Sequence, residues 1–320
     1  MVGPPPPAPR VRAFHHDRWS YPLPDGHRFP LGRYRMLREA VARELGALVA
    51  LQEAPAASDA ELARAHTPEY LARALAGGLS AREQASLGLP WTPVLVERAR
   101  RSTGATVAAA RLALVDGVAI NLGGGTHHAA PDAGRGFCMF NDVVCAIRAL
   151  RAEGRLGRVL VMDCDVHQGD GTHAALAGDP LSTTASVNGG RNYPTRRVPG
   201  DVEADLPDGA GDDTYLAAVA DVLGRALGAG RPELCFYLAG ADPYEGDRLG
   251  RLAVSRAGLA ARDRHVRDTL VAAGVPVVVL MAGGYGEPIT DTVAINLATV
   301  RVMCGVAGRA GGAGALSATG

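Results

Sequence analysis

The sequence predicts a single α/β domain: a mostly parallel multi-stranded sheet with helices on both faces. Three observations predict it. The chain has 320 residues, 47% hydrophobic and 21% charged, the size and composition of one large globular core. Short apolar or β-branched runs alternate with helical stretches, separated by polar loops that contain glycine. The runs show little polar alternation, as expected of strands covered on both faces. Ligands in such sheets bind in the crevice beyond the carboxyl ends of the strands, so function is sought there.

In chain order, proline-rich residues 1–12 read as a disordered leader, 13–304 as the folded domain and 305–320 as a flexible Gly/Ala tail. Helices are expected at 31–52 and 94–115, then a strand at 118–122 that runs into three glycines. A helix at 142–153 precedes strands at 158–164 and 181–187. A helix at 212–228 leads to a strand at 233–239, and a helix at 256–273 to the β-branched strand 275–281. A last helix is expected at 290–303.

Charge excludes several functions. Lys+Arg and Asp+Glu are 33 each, so the net charge is zero and the footprint of a nucleic-acid binder is absent. Every basic residue is arginine, which excludes a Walker A lysine, a Schiff-base lysine and a lysine general base. The five cysteines form no C-x-x-C pair and mostly lie in apolar runs, so they read as reduced and buried. The N-terminus lacks the apolar core of a signal peptide, and no apolar stretch approaches a membrane span. The expectation is a cytoplasmic protein with no membrane or nucleic-acid partner.

Four strand ends carry chemistry. The first is followed by Gly123-Gly124-Gly125-Thr126-His127-His128, without the G-x-G-x-x-G spacing of a dinucleotide loop. As a lone signal this is equally a surface turn with two solvated histidines. The second ends in Asp163-Cys164-Asp165-Val166-His167, which on an extended chain places three ionisable groups on one face. At the end of an apolar run they are costly to bury without a cation. Past the third, Asp242 is the first carboxylate, although an Asp-Pro is by itself more often a turn. Past the fourth, Tyr285 stands between glycines. Together they converge. Asp165, His167 and Asp242 make a three-ligand set, and Asp163 and Asp170 can orient His127 and His128. Tyr285 can donate to an oxyanion, and the whole reads as metal-assisted hydrolysis of a carbonyl compound.

The segments G-G-G-T-H-H-A, G-F-C-M-F-N-D-V, D-C-D-V-H-Q-G-D-G-T, L-A-G-A-D-P-Y-E-G-D-R-L-G and A-G-G-Y resemble the histone deacetylase superfamily, in its order, from about Phe14 to Cys304. The D-G-H-R-F-P-L-G-R-Y-R segment and Gln168 look most like the class IV branch and bacterial histone deacetylase-like amidohydrolases. The resemblance implies an arginase/deacetylase-like fold and zinc-dependent hydrolysis of acetyl-lysine-like amides by metal-activated water. It implies Zn²⁺ on Asp165, His167 and Asp242, the oxygen-rich set also suiting Fe²⁺. His127 and His128 become the acid/base pair backed by Asp163 and Asp170, with Tyr285 polarising the carbonyl. Phe137 lines the substrate tunnel, with Tyr193 opposite. A structural K⁺ is implied near Asp163, Asp165, His167, Ser186 and Val187, and an arginine beneath the site at Arg33 or Arg35. The implied partner is an acyl-lysine peptide or protein, or a small acetylated amine.

Three alternatives stand beside this reading. An acetylpolyamine or other small-molecule amidohydrolase shares the metal site. The six acids from Asp201 to Asp213 suit a cationic ligand, though such a run is more often a solvated loop. A two-manganese, arginase-like site needs a carboxylate where Gly240 stands and is rejected. A non-catalytic acyl-lysine reader would lose a ligand or the tyrosine, and this chain keeps all of them. The oligomeric state is not legible.

Overall fold

A computed structural model describes residues 11–305. In chain order the elements are β1 (Val11–His15), α1 (Arg33–Leu45), β2 (Val49–Glu53), α2 (Asp59–Leu62), α3 (Pro68–Ala76), α4 (Ala81–Leu87), α5 (Pro93–Asp116) and β3 (Val118–Asn121). There follow α6 (Asp142–Ala152), β4 (Val159–Asp163), α7 (Asp170–Leu176), β5 (Ser182–Gly189), β6 (Val202–Leu206) and α8 (Asp212–Gly228). The chain continues through β7 (Leu234–Leu238), α9 (Arg256–Ala272), β8 (Val277–Leu280) and α10 (Ile289–Cys304). The eight strands form one sheet in the order β2-β1-β3-β8-β7-β4-β5-β6, and every neighbouring pair is parallel.

Successive strand residues feed two cores, because side chains alternate across a pleated sheet. Leu160 and Met162 of β4, Tyr237 of β7 and Val277 and Val279 of β8 pack with α1, α8, α9 and α10. Val159 and Val161, Phe236, and Val278 and Leu280 pack with α3, α5 and α6 on the other face. The long α5 has both ends marked in the sequence. The Thr92 hydroxyl accepts from Leu95 N at 3.0 Å, Pro93 opens the first turn, and Gly117 takes the left-handed conformation that stops it.

Three expectations are corrected. The helix expected at 31–52 ends at Leu45, and Val49–Glu53 is a strand, because Val49 pairs with Val11 on β1. That pairing also makes Val11 and Arg12 part of β1 rather than of a leader; residues 1–10 and 306–320 lie outside the described residues. An eighth strand, β6, forms where an acidic loop was expected, its Val202 and Leu206 buried and the residues between half-exposed or exposed, as at a sheet edge. In that stretch Asp201, Glu203, Asp205, Asp208 and Asp212 are held by Thr184, Gln168, Arg197, Arg251 and Ser255 respectively.

Candidate active site

The strands β3, β8, β7 and β4 are neighbours in the middle of the sheet, and each releases a loop at the same edge. After β3, Gly124 and Gly125 take positive φ (73° and 71°). The buried Asp142 carboxylate at the start of α6 accepts from Gly125 N, Thr126 N and the Thr126 hydroxyl at 2.9, 2.8 and 2.7 Å. The turn so pinned delivers His127 and His128, both buried, with ring centroids 4.2 Å apart.

Each imidazole has its own carboxylate. His127 Nδ1 lies 2.7 Å from Asp163 Oδ2, and His128 Nδ1 lies 2.7 Å from Asp170 Oδ1. A carboxylate only accepts, so both Nδ1 atoms carry protons and both Nε2 atoms are free for chemistry. Burial disfavours charge on either ring. For His127 the Asp163 and Asp165 carboxylates outweigh burial and lift its pKa to about 9. For His128 burial and the neighbouring His127 win, and its pKa falls to about 4.

Asp163 ends β4, so Asp165 and His167 lie past the strand rather than on one face of it. Asp163 turns to His127, while Asp165 and His167 meet Asp242 from the loop after β7, with one donor atom of each within 4.8 Å of the others. Asp165 Oδ1 accepts from His167 N at 2.9 Å and Asp165 Oδ2 from Gly283 N at 2.6 Å; Asp242 Oδ1 accepts from Val166 N at 2.9 Å. Asp242 Oδ2 accepts no hydrogen bond although the residue is fully buried; His167 Nδ1 lies 3.3 Å from it without hydrogen-bond geometry. Burial and the Asp165 carboxylate push Asp242 well above the usual carboxylate range. Burial opposes charge on His167, yet the two carboxylates raise it to about 10. Two buried carboxylates, one oxygen left unpartnered, and an imidazole nitrogen aimed between them fit a divalent cation. Gly283 keeps the room open: a Cβ there would stand 1.9 Å from Asp242 Oδ2 and 2.5 Å from Asp165 Oδ2.

Tyr285 follows β8, its amide held by Asp247 Oδ2 at 2.6 Å. Burial raises its hydroxyl well above the usual phenol range. Tyr285, His128, His167 and Phe137 separate an inner cavity of about 70 Å³ from an outer recess of about 390 Å³. Phe137 sits at φ 67°, unusual for a bulky residue and costing about 1–3 kcal/mol. It is held there by Gly136 N→Ser86 O and Phe137 N→Leu87 O hydrogen bonds of 3.0 and 2.8 Å. Tyr193 stands edge-on to His128, ring centroids 4.8 Å apart, with 43% of its surface exposed.

The structure places His127, His128, Asp163, Asp165, His167, Asp170, Asp242, Tyr285, Phe137 and Tyr193 around one crevice. Ser186 and Val187 lie on β5, where Ser186 pairs in register with Asp163. Of the two arginines left open, Arg33 lies beneath the site, donating to Gly284 O at 2.9 Å and Ala282 O at 2.5 Å, while Arg35 is exposed. Sequence reading missed the residues that hold loops rather than substrate. Asp142 and Asp247 stood inside the quoted motifs, but nothing local marks a carboxylate as a backbone anchor. Arg262 and His66 gave no signal. Arg262, fully buried on α9 against Asp263, donates to Gly240 O at 2.6 Å, two residues from Asp242.

Comparison with known proteins gives the family and the fold. A model of the histone deacetylase domain matches residues 27–300. An uncharacterized protein of Picosynechococcus sp. is 40% identical over 281 residues, covering 87% of this chain and 93% of its own. The histone deacetylase-like amidohydrolase of Pseudomonas aeruginosa is 34% identical over 282 residues, covering 82% and 72%. The crystal structure of the HDA15 HD domain superposes with a TM-score of 0.77 over 94% of this chain and 93% of that one, at 22% identity, and so shares the fold. With the domain match spanning nearly all the described residues, this chain belongs to the histone deacetylase family.

Proposed function

We propose that the chain is a zinc-dependent hydrolase of linear N-acyl amides of the acetyl-lysine type. The observation that carries this reading is the buried Asp165–His167–Asp242 set with an unpartnered carboxylate oxygen, next to two carboxylate-braced imidazoles and a tyrosine. The relative named a histone deacetylase-like amidohydrolase supports the reaction class. A Zn²⁺ held by those three residues, or Fe²⁺ on the same donors, would supply Lewis acidity to the carbonyl and to the attacking water.

The protein's own groups do the rest. Tyr285, kept protonated by burial, donates to the oxygen on which negative charge develops. His127 and His128 take a proton from water and return one to the leaving amine through their free Nε2 atoms, while Asp163 and Asp170 hold the tautomers. Phe137 and Tyr193 flank the outer recess and favour a thin alkyl chain over a branched one. A K⁺ at Asp163, Asp165, His167, Ser186 and Val187 belongs to the same proposal.

The test is turnover. Metal-loaded enzyme is assayed on acetyl-lysine peptides, stripped with a chelator, and reloaded with Zn²⁺ or Fe²⁺. Hydrolysis that disappears on stripping and returns with one equivalent of metal is expected. A metal-replete protein that binds these amides without cleaving them, or that needs two metals per chain, overturns the proposal.

A further inference from the structure

The outer recess has a charge pattern that amide hydrolysis does not require. Its floor is His128, His167, Phe137 and Tyr285; its rim carries Arg28, Arg191 and Arg251. Among the described residues, no Asp or Glu lines it. Arg28 is exposed and, among the described residues, has no ion-pair partner. Arg191 and Arg251 both lean on one carboxylate, Asp208, at 3.6 and 3.3 Å, and keep 76% and 53% of their side-chain surface in solvent. Two of the three guanidiniums thus share a single carboxylate and the third has none, at the mouth of a molecule whose net charge is zero. A positive collar around a concave, low-dielectric recess attracts anions and repels cations at the point of entry. Guanidinium is also the cation best matched to a carboxylate, which it can grip with two parallel hydrogen bonds.

Building on the hydrolase reading above, we propose that Arg28, Arg191 and Arg251 form a carboxylate-recognition collar: the preferred acyl amide carries a carboxylate at the mouth of the recess. Substrates whose amine portion is cationic, acetylated polyamines among them, meet like charge at the rim. The carboxylate has two sources with the same chemistry, an acidic residue beside an acyl-lysine in a peptide or the α-carboxylate of a free N-acyl amino acid.

The experiment measures kcat/KM of the metal-loaded protein on matched acetyl-lysine peptides whose two flanking residues are both Glu, both Gln or both Arg. A second pair compares Nα-blocked Nε-acetyl-lysine as free acid and as amide. At low salt the Glu peptide should exceed the Arg peptide by about tenfold or more, and the ratio should shrink at about 0.5 M salt as screening shortens the field. The combined R28Q/R191Q/R251Q variant should bring the ratio close to unity, and each single substitution should lower it about twofold to threefold, so the collar stays testable if the triple variant folds poorly. A preference confined to the peptide series names an acidic peptide as the source, and one shared by the free acid names the small molecule. Turnover of all three peptides at equal rates, a preference for Arg, or a ratio unmoved by the substitutions overturns the collar and leaves the hydrolase standing. Failure to cleave any of the amides overturns the hydrolase reading itself.

Discussion

At the floor of the site Asp165, His167 and Asp242 are each less than a tenth exposed, and every carboxylate oxygen of Asp165 and Asp242 except Asp242 Oδ2 accepts from a backbone amide. At the rim Arg191, Tyr193 and Arg251 stand in solvent, with one shared carboxylate between the two arginines. The floor holds geometry by leaving its groups nowhere else to go. The rim holds almost none and acts through charge and shape. Substitutions at the floor should therefore change whether the reaction occurs, and substitutions at the rim which substrate enters.

The largest effect expected is from Gly283→Ala. Its methyl group would overlap the Asp165 and Asp242 carboxylates of the candidate metal set, so metal content by elemental analysis should fall below about a tenth of wild type, and turnover with it, while circular dichroism shows the fold retained. Full metal occupancy in that variant would show that the floor has slack and break the contrast. Tyr285→Phe removes one hydroxyl and nothing else, so metal binding should persist while kcat drops about 10²–10³-fold, the usual cost of one lost oxyanion donor.

The next effect is on stability, in the layer that braces the floor. His66 Nδ1 lies 3.0 Å from Ala130 O, and its Nε2 accepts from Asn141 N at 2.9 Å, so the ring must be neutral to serve both. Burial holds its pKa down to about 4, from the 6.5 of an ordinary histidine. Between those values the unfolded chain binds a proton that the folded chain refuses, so stability falls as pH falls through that window and is unaffected above it. From pH 7 to 5 the loss is about 2 kcal/mol. Urea midpoints of wild type and His66→Gln at both pH values should show a smaller slope in the variant; equal slopes would remove His66 from the account.

The smallest effect is at the rim. Tyr193→Ala gives up one aromatic edge contact, about 1 kcal/mol, and should cost about fivefold in kcat/KM with kcat nearly unchanged. A loss as large as that of Tyr285→Phe would move Tyr193 from rim to floor.

The floor was legible in the sequence because each of its groups sits within a few residues of a strand end, in segments that are also contiguous motifs. Arg33 could not be told from Arg35, since the choice depends on the phase of α1 against the sheet, and only Arg33 points inward. The strand at Val49–Glu53 was read as helix because its apolar residues continue the spacing of α1; pairing with β1 overrides that local pattern. β6 was hidden by its charges, which an edge strand can keep in water. Asp142, Asp247 and Arg262 act on backbone atoms far away in sequence, and no residue pattern announces such a contact.

The position of β8 has a consequence for how the enzyme comes into being. Among the described residues, the last strand to be synthesised lies between β3 and β7, in the middle of the sheet. Before Val277–Leu280 leaves the ribosome, the half bearing the two histidines and the half bearing the three acidic and imidazole donors have no strand to join them. Gly283, which closes over Asp165, arrives only after that strand. A growing chain therefore cannot complete the Asp165–His167–Asp242 pocket until Gly283 has been made, and any product that stops short of β8 is left with an open seam of unpaired backbone between β3 and β7.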